Sequence, residues 1–256
     1  MKKLAVLITA LVVMALTSEQ AEAGLQDVIN LRMGSDTPDY TLGAAMNNTS
    51  GQAWNVLQIA GGDIVNNLVH ADGSVTVPDT GVTVNYNFGG SYFTEAPGIT
   101  NPDQAPLFQG FFYQSVGSTG TVEFSGLAAG VYNVYVYNQL TNDSPATLDL
   151  TTETSAGSYA MSFHNDALQF TDLAKAAGTG DAGNWAKQTV VVGSNVSTHD
   201  GYSYNLVMSF AGGSSVNGIQ IEAVPEPGSV VLLGVGGVFV FGFTRMRTKE
   251  RASLGV

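Results

Sequence analysis

The sequence predicts an all-β protein whose centre is a single two-sheet sandwich, and three observations lead there. Gly supplies 31 of the 256 residues and charged residues only 12%, a composition that suits short strands and polar turns better than long helices. Apolar residues recur with period two along several segments between residues 24 and 223, the signature of strands with two unlike faces. Turn signals at Asp72-Gly73, Pro78-Asp79, Asp200-Gly201 and Gly212-Gly213 separate those segments, as hairpin-connected sheets require.

Taken in order, Val82, Val84 and Tyr86 define the face of one strand. Leu127 to Gly130 then makes a turn into a longer strand, where Tyr132, Val134 and Val136 alternate with Asn133, Tyr135 and Tyr137. Leu148 and Leu150 repeat the pattern, followed by Leu206, Met208 and Phe210, and finally by Ile219 and Ile221. Val190 to Val192 reads as a short buried strand, and Ala167 to Ala177 as the one short helix. No internal period of solenoid or propeller length occurs. One β-sandwich domain over residues 24–223 accounts for the whole body. With no cysteine in the chain, disulfides, thiolate metal sites and cysteine nucleophiles are excluded, and a packed core must carry the stability.

Charge is unevenly placed. Between residues 24 and 223 only Arg32, Lys175 and Lys187 stand against 17 Asp and Glu, leaving a net −14. Such a surface does not neutralise phosphates, so nucleic acid is excluded as a partner.

The two ends read as addresses. Residues 1–23 carry Lys2 and Lys3, an apolar stretch from Leu4 to Leu16, and Ala21-Glu22-Ala23 as an A-x-A cleavage site. That is the pattern of a secretory signal peptide cut by signal peptidase after Ala23. Residues 224–256 open with Pro225-Glu226-Pro227, where the missing amide donors end any preceding strand. An apolar run then forms an expected membrane helix over 230–244, and Arg245, Arg247, Lys249 and Arg251 follow. The basic cluster stays on the cytoplasmic side, which places the body outside. The run is shorter than the roughly 20 residues that usually cross a bilayer.

The segment VPEPGSVVLLGVGGVFVFGFTRMR, residues 224–247, resembles the PEP-CTERM sorting signal of Gram-negative and related bacteria. The resemblance implies an exosortase, an integral-membrane transpeptidase, as processing partner. It also implies transient anchoring in the inner membrane before delivery to the cell surface or extracellular polymer. In the body, Trp54, the Asp72-Gly73 turn, the Gly130-Val131-Tyr132 strand entry and Gly218-Ile219-Gln220-Ile221 are similar to landmarks of the galactose-binding-like jelly-roll modules of planctomycete and verrucomicrobial secreted proteins. That resemblance implies a jelly-roll-type sandwich and, more loosely, extracellular polysaccharide as a partner.

Sites for chemistry are sparse. Gly178 to Gly183 fits G-x-G-x-x-G, but it follows a helical stretch and precedes a strand, the reverse of a dinucleotide site, so it reads as a surface loop. His70, His164 and His199 lack metal-ligand spacing, and no nucleophile elbow accompanies them. Glu95, Asp103, Glu123, Asp149, Glu153, Asp166 and Asp172 include no pair singled out by spacing. No cofactor is expected apart from a structural calcium ion, for which the loops around Asp63, Asp72, Asp166 and Asp181 offer oxygen donors. Tyr135 and Tyr137 share a strand face and are the candidate ligand contacts, with Phe111, Phe112 and Tyr113 as a second aromatic group. The expectation is a non-enzymatic exported protein. The alternative is a surface carbohydrate-binding or carbohydrate-active module.

Overall fold

The computed structural model describes residues 28–34, 52–57, 63–66, 68–74, 81–93, 98–140, 145–152, 159–164, 170, 173–193, 197–199 and 202–224. The expectations for Ala21, Ala23, Pro225, Glu226, Pro227, Arg245, Arg247 and the membrane helix over 230–244 lie outside those residues. Among the described residues no helix is long and apolar enough to cross a membrane. Ala23–Ala223 form one compact unit.

That unit is a β-sandwich of two sheets. The first has five strands in the order β12 (Trp185–Val192), β8 (Gly130–Tyr137), β17 (Gly218–Val224), β1 (Val28–Met33) and β2 (Asn55–Leu57). The second has seven, in the order β11 (Asp181–Ala182), β10 (Tyr159–His164), β9 (Pro145–Thr152), β15 (Leu206–Phe210), β7 (Gly120–Ser125), β4 (Thr83–Asn87) and β3 (Asp63–Val65). Smaller sheets join β16 (Ser215–Val216), β6 (Gly110–Tyr113) and β5 (Gly90–Phe93), and pair β13 (Ser197–His199) with β14 (Tyr202–Tyr204). Apart from β1–β2 and β10–β11, the strand pairs of known direction are antiparallel.

The pleat explains which residues meet between the sheets. Ile29, Leu31 and Met33 of β1, Tyr132, Val134 and Val136 of β8, and Ile219 and Ile221 of β17 point inward from the five-stranded sheet. Val84 and Tyr86, Val122 and Phe124, Leu148 and Leu150, and Leu206, Met208 and Phe210 answer them from the seven-stranded sheet. Each fully buried apolar side chain of this size contributes about 1.5–3 kcal/mol of transfer free energy. A one-residue slip would turn the whole set to the wrong face, so the core fixes the register, for example Leu31 opposite Ile219. Of the second aromatic group, Phe112 belongs to this core. Its ring stacks on Tyr86 at 5.5 Å and lies 5.4 Å from Phe88.

The helix expected over Ala167–Ala177 is absent from its described residues, 170 and 173–177. The backbone there bonds sideways instead of along a helix: Ala174 N–H donates to Asn184 Oδ1 (2.8 Å) and Ala176 N–H to the Trp185 carbonyl (2.9 Å), while Lys175 bridges Trp185. Sheet-edge pairing outweighs a helical propensity carried by a few alanines. Gly178 to Gly183 is a turn followed by the two residues of β11, so it does not open a helix.

Candidate functional site

The outward face of the five-stranded sheet gathers polar side chains together with large aromatic ones. By the pleat, Asn30 and Arg32 of β1, Asn133, Tyr135 and Tyr137 of β8, Gln220 and Glu222 of β17, and Trp185, Lys187 and Thr189 of β12 share it. Cross-strand register places Trp185 opposite Tyr137, Lys187 opposite Tyr135 and Thr189 opposite Asn133.

One end of this face is covered. The loop leading through the 3-10 turn Ala105–Phe108 lays Ile99, Leu107 and Phe108 over Tyr137, with Phe108 edge-on to the tyrosine ring at 6.5 Å. Two glycines allow the close approach. A Cβ on Gly218 would stand 2.9 Å from Leu107 Cδ1, and one on Gly110 only 2.0 Å from the Met33 carbonyl oxygen. Asn217 holds the cover down by donating from Nδ2 to the carbonyls of Phe108 (3.1 Å) and Gly110 (2.9 Å), while its Oδ1 accepts from Gln139 N–H (2.7 Å). A chain of amides beneath it joins the Tyr137 hydroxyl to Gln220, Gln220 Nε2 to Asn30 Oδ1 (2.8 Å) and Asn30 Nδ2 to Gln52 Oε1 (3.1 Å). These groups are fully or almost fully buried, and buried polar atoms persist because they are paired.

The other end is open. Tyr135 is 6% exposed, and its hydroxyl donates to Glu222 Oε2 at 2.8 Å. Asn133 Nδ2 donates to the same oxygen at 2.9 Å, and Thr189 Oγ1 donates to Asn133 Oδ1 at 2.9 Å. Burial, then the Glu222 hydrogen bond and charge, raise the Tyr135 phenol well above its ordinary 10.0. Trp185 stands half-buried 6.0 Å from the Tyr135 ring. Two exposed lysines rest on these rings, Lys187 Nζ 5.4 Å from the Tyr135 centroid and Lys175 Nζ 5.5 Å from that of Trp185.

The two sequence-predicted tyrosines therefore part company. Both face outward as the alternation requires, but Tyr137 lies under Phe108 with no exposed surface and presents no platform. Tyr135 sits at the edge of the open patch. Sequence reasoning missed Trp185, Lys187, Lys175 and Glu222. The period-two spacing of Trp185, Lys187 and Thr189 marked one strand face, but the pairing that sets it beside Tyr135 is long-range.

Glu95, Glu153, Asp166 and Asp172 lie outside the described residues, and the described candidates are scattered. Glu123 is buried on the outer face of the seven-stranded sheet, accepting from Asn85 Nδ2 at 3.0 Å, and Asp149 is exposed two strands away. Asp72 Oδ1 accepts from Ser74 N–H (2.8 Å) and Ser74 Oγ (2.5 Å), which caps its turn and lowers its pKa. Among the described residues no three His, Asp or Glu side chains gather as a metal site. His70 bridges Ile29 beside β1, whereas His164 ends β10 in the other sheet. The side chain of His199 lies outside the described residues.

Residues 223–247 match the PEP-CTERM protein-sorting motif, which marks an exported protein sorted at a membrane. The match begins in the last residues of β17, which is described as far as Val224, one residue before Pro225. No curated protein matches the chain. Three solved structures are similar. The first, a calcium-binding mutant of Bacteroides uniformis beta-glucuronidase 2, shares 13% identity over 67% of this chain, with a TM-score of 0.28, and the chain spans only 20% of its length. The second is the carbohydrate-binding module CBM6cm-2 from Cellvibrio mixtus lichenase 5A in complex with cellotriose, with 14% identity, 66% of this chain, 91% of that one and a TM-score of 0.21. The third is the non-crystalline-cellulose-specific module CBM28, with 11% identity, 76% of this chain, 96% of that one and a TM-score of 0.24.

Proposed function

We propose that this chain is a non-enzymatic protein of the cell surface or extracellular matrix, exported with a cleaved signal peptide and released from its membrane tail by an exosortase. The observation that carries the reading is the sorting motif over residues 223–247, with the basic Arg245 and Arg247 after the apolar run. In this reading the jelly-roll-type body between residues 24 and 223 is the delivered cargo, and the tail is spent on delivery. The test is the fate of the tail in the producing cells. Tail-reactive antibody should detect only a precursor in the inner membrane, while body-reactive antibody finds a shorter species outside. Replacing Pro225, Glu226 and Pro227 together by alanine should leave the full-length chain in the membrane. Unchanged delivery of that variant would overturn the reading.

A second reading is that the delivered body binds extracellular polysaccharide. The open end of the five-stranded sheet favours it, because half-buried Trp185, backed by the buried ring of Tyr135, and neighbouring hydroxyl, amide and carboxylate groups combine a rigid apolar surface with hydrogen-bonding partners.

A further inference from the structure

The body's positive charge is not spread over its surface. Residues 24–223 hold three cations against 17 carboxylates, and all three cations belong to the outward face of the five-stranded sheet. Arg32 is buried there on β1, two residues from Asn30. Lys187 extends from β12, and Lys175 comes in by its bridge to Trp185. The two lysines are exposed, and among the described residues neither ammonium is paired with a carboxylate. Each is instead parked over an aromatic ring, an arrangement that holds the cation in place and keeps its charge. In a body of net −14, the two exposed cations, unpaired with carboxylates among the described residues, thus converge on one aromatic patch.

We propose that this patch binds the carboxylate-bearing sugars of an acidic polysaccharide. The inference rests on the second reading above and gives its ligand a chemical class. Lys187 and Lys175 pair with the uronate carboxylates, because a charge-assisted contact to an anion is stronger than the ring contact each ammonium makes in its absence. Trp185 and Tyr135 fix where the ammonium groups stand. Thr189 Oγ1 and the amide of Asn133 lie further along the same face, in line to meet sugar hydroxyls. Among the described residues, Glu222 is the carboxylate on the patch. Its Oε2 is already held by Tyr135 and Asn133, so it accepts hydroxyl donors while the lysines take the acid groups. Among the described residues the patch sets two exposed cations against one carboxylate, a positive local balance in a body of net −14. Charges more than about 8–10 Å away are largely screened at physiological salt, so the local sign governs contact.

The test uses the full chain, purified in detergent, against immobilised polygalacturonate, its fully methyl-esterified form and polyglutamate. The expected result is saturable binding to polygalacturonate that is about tenfold or more weaker for both other polymers. Loss of one charge-assisted contact is worth roughly a tenfold change. Replacing both lysines (Lys175→Gln with Lys187→Gln) should weaken polygalacturonate binding by at least that factor, whereas the double replacement by arginine should retain it. Equal binding to the methyl ester would overturn the acidic specificity and leave the polysaccharide reading standing. Equal binding to polyglutamate would show a site for anions at large and overturn the sugar assignment. Wild-type affinity in the glutamine variant would remove the site from this face, and no binding to either pectin form would sink both the inference and the reading beneath it.

Discussion

β8 and β9 are both strands of eight residues, one from each sheet, and both point three apolar side chains into the shared core. Their outward halves differ completely. Along β9 the outward positions Pro145, Thr147 and Asp149 are exposed, the solvated face expected of an antiparallel sheet that is covered on one side. Along β8, Asn133, Tyr135 and Tyr137 are buried as well. The five-stranded sheet carries a second layer over part of its outward face, fastened by Asn217, Gly110 and Gly218, and the seven-stranded sheet shows no such layer among the described residues of β9. The contrast sets one side of the molecule apart: a face built from large aromatic and amide side chains, partly roofed and partly open.

If the roof is a packed second core, its centre is the most costly place to damage. Phe108→Ala removes a fully buried ring from above Tyr137, and it should cost about 3–5 kcal/mol, read as a lower urea midpoint. Asn217→Ala comes next, at about 3 kcal/mol or more, because three buried backbone groups lose their partner together. If either variant unfolds at the wild-type midpoint, the roof contributes nothing and the comparison between the two sheets fails.

At the open end the effects are smaller and depend on pH. Tyr135→Phe deletes the donor to Glu222 from a partly buried pair and should cost about 1 kcal/mol. The folded state holds the phenolic proton more tightly than the unfolded chain, whose value is near 10.0. Above that pH the unfolded chain therefore releases its proton first, and the stability associated with the protonated phenol falls as pH rises further. Wild type should lose stability above pH 10.0 more steeply than Tyr135→Phe, measured by urea unfolding at a series of alkaline pH values. Parallel curves would show that the Tyr135 phenol is not held by burial and Glu222.

How much of this was legible follows from the range of the interactions. Val84 and Tyr86, Leu148 and Leu150, and Leu206, Met208 and Phe210 turn inward as their alternation says, because strand pleating is a local rule. The same rule put Tyr135 and Tyr137 on one face but was silent about what lies over that face. The roof comes from residues 98–109, about 30 positions away in sequence, and is tied down by Asn217, more than 100 positions away from its carbonyl partners. Trp185 and Lys187 were invisible as site residues for the same reason. The helix expected near Lys175 failed because its backbone donors found acceptors on Asn184 and Trp185, which local propensity does not weigh. The sorting motif was legible in full because a contiguous signal needs no fold to be read.

The smallest expected effect is also the sharpest control on the comparison. Thr147 occupies an exposed outward position of β9, and among the described residues its Oγ1 meets the Ser162 hydroxyl, at 3.1 Å. Thr147→Ala should change stability by no more than about 0.5 kcal/mol, since an exposed hydroxyl exchanges its partner for water and no buried group is stranded. The matched change on the other sheet, Asn133→Ala, removes an almost buried amide and leaves Glu222 with one donor fewer, while the exposed Thr189 hydroxyl turns to water. It should cost about 1–2 kcal/mol. Both residues lie on eight-residue strands, face outward and carry small polar side chains, so composition and strand position do not separate them. Unequal urea midpoints in that order would assign the difference to the surroundings of the five-stranded face. Equal ones would mean that its polar network is no more constrained than an ordinary solvated sheet.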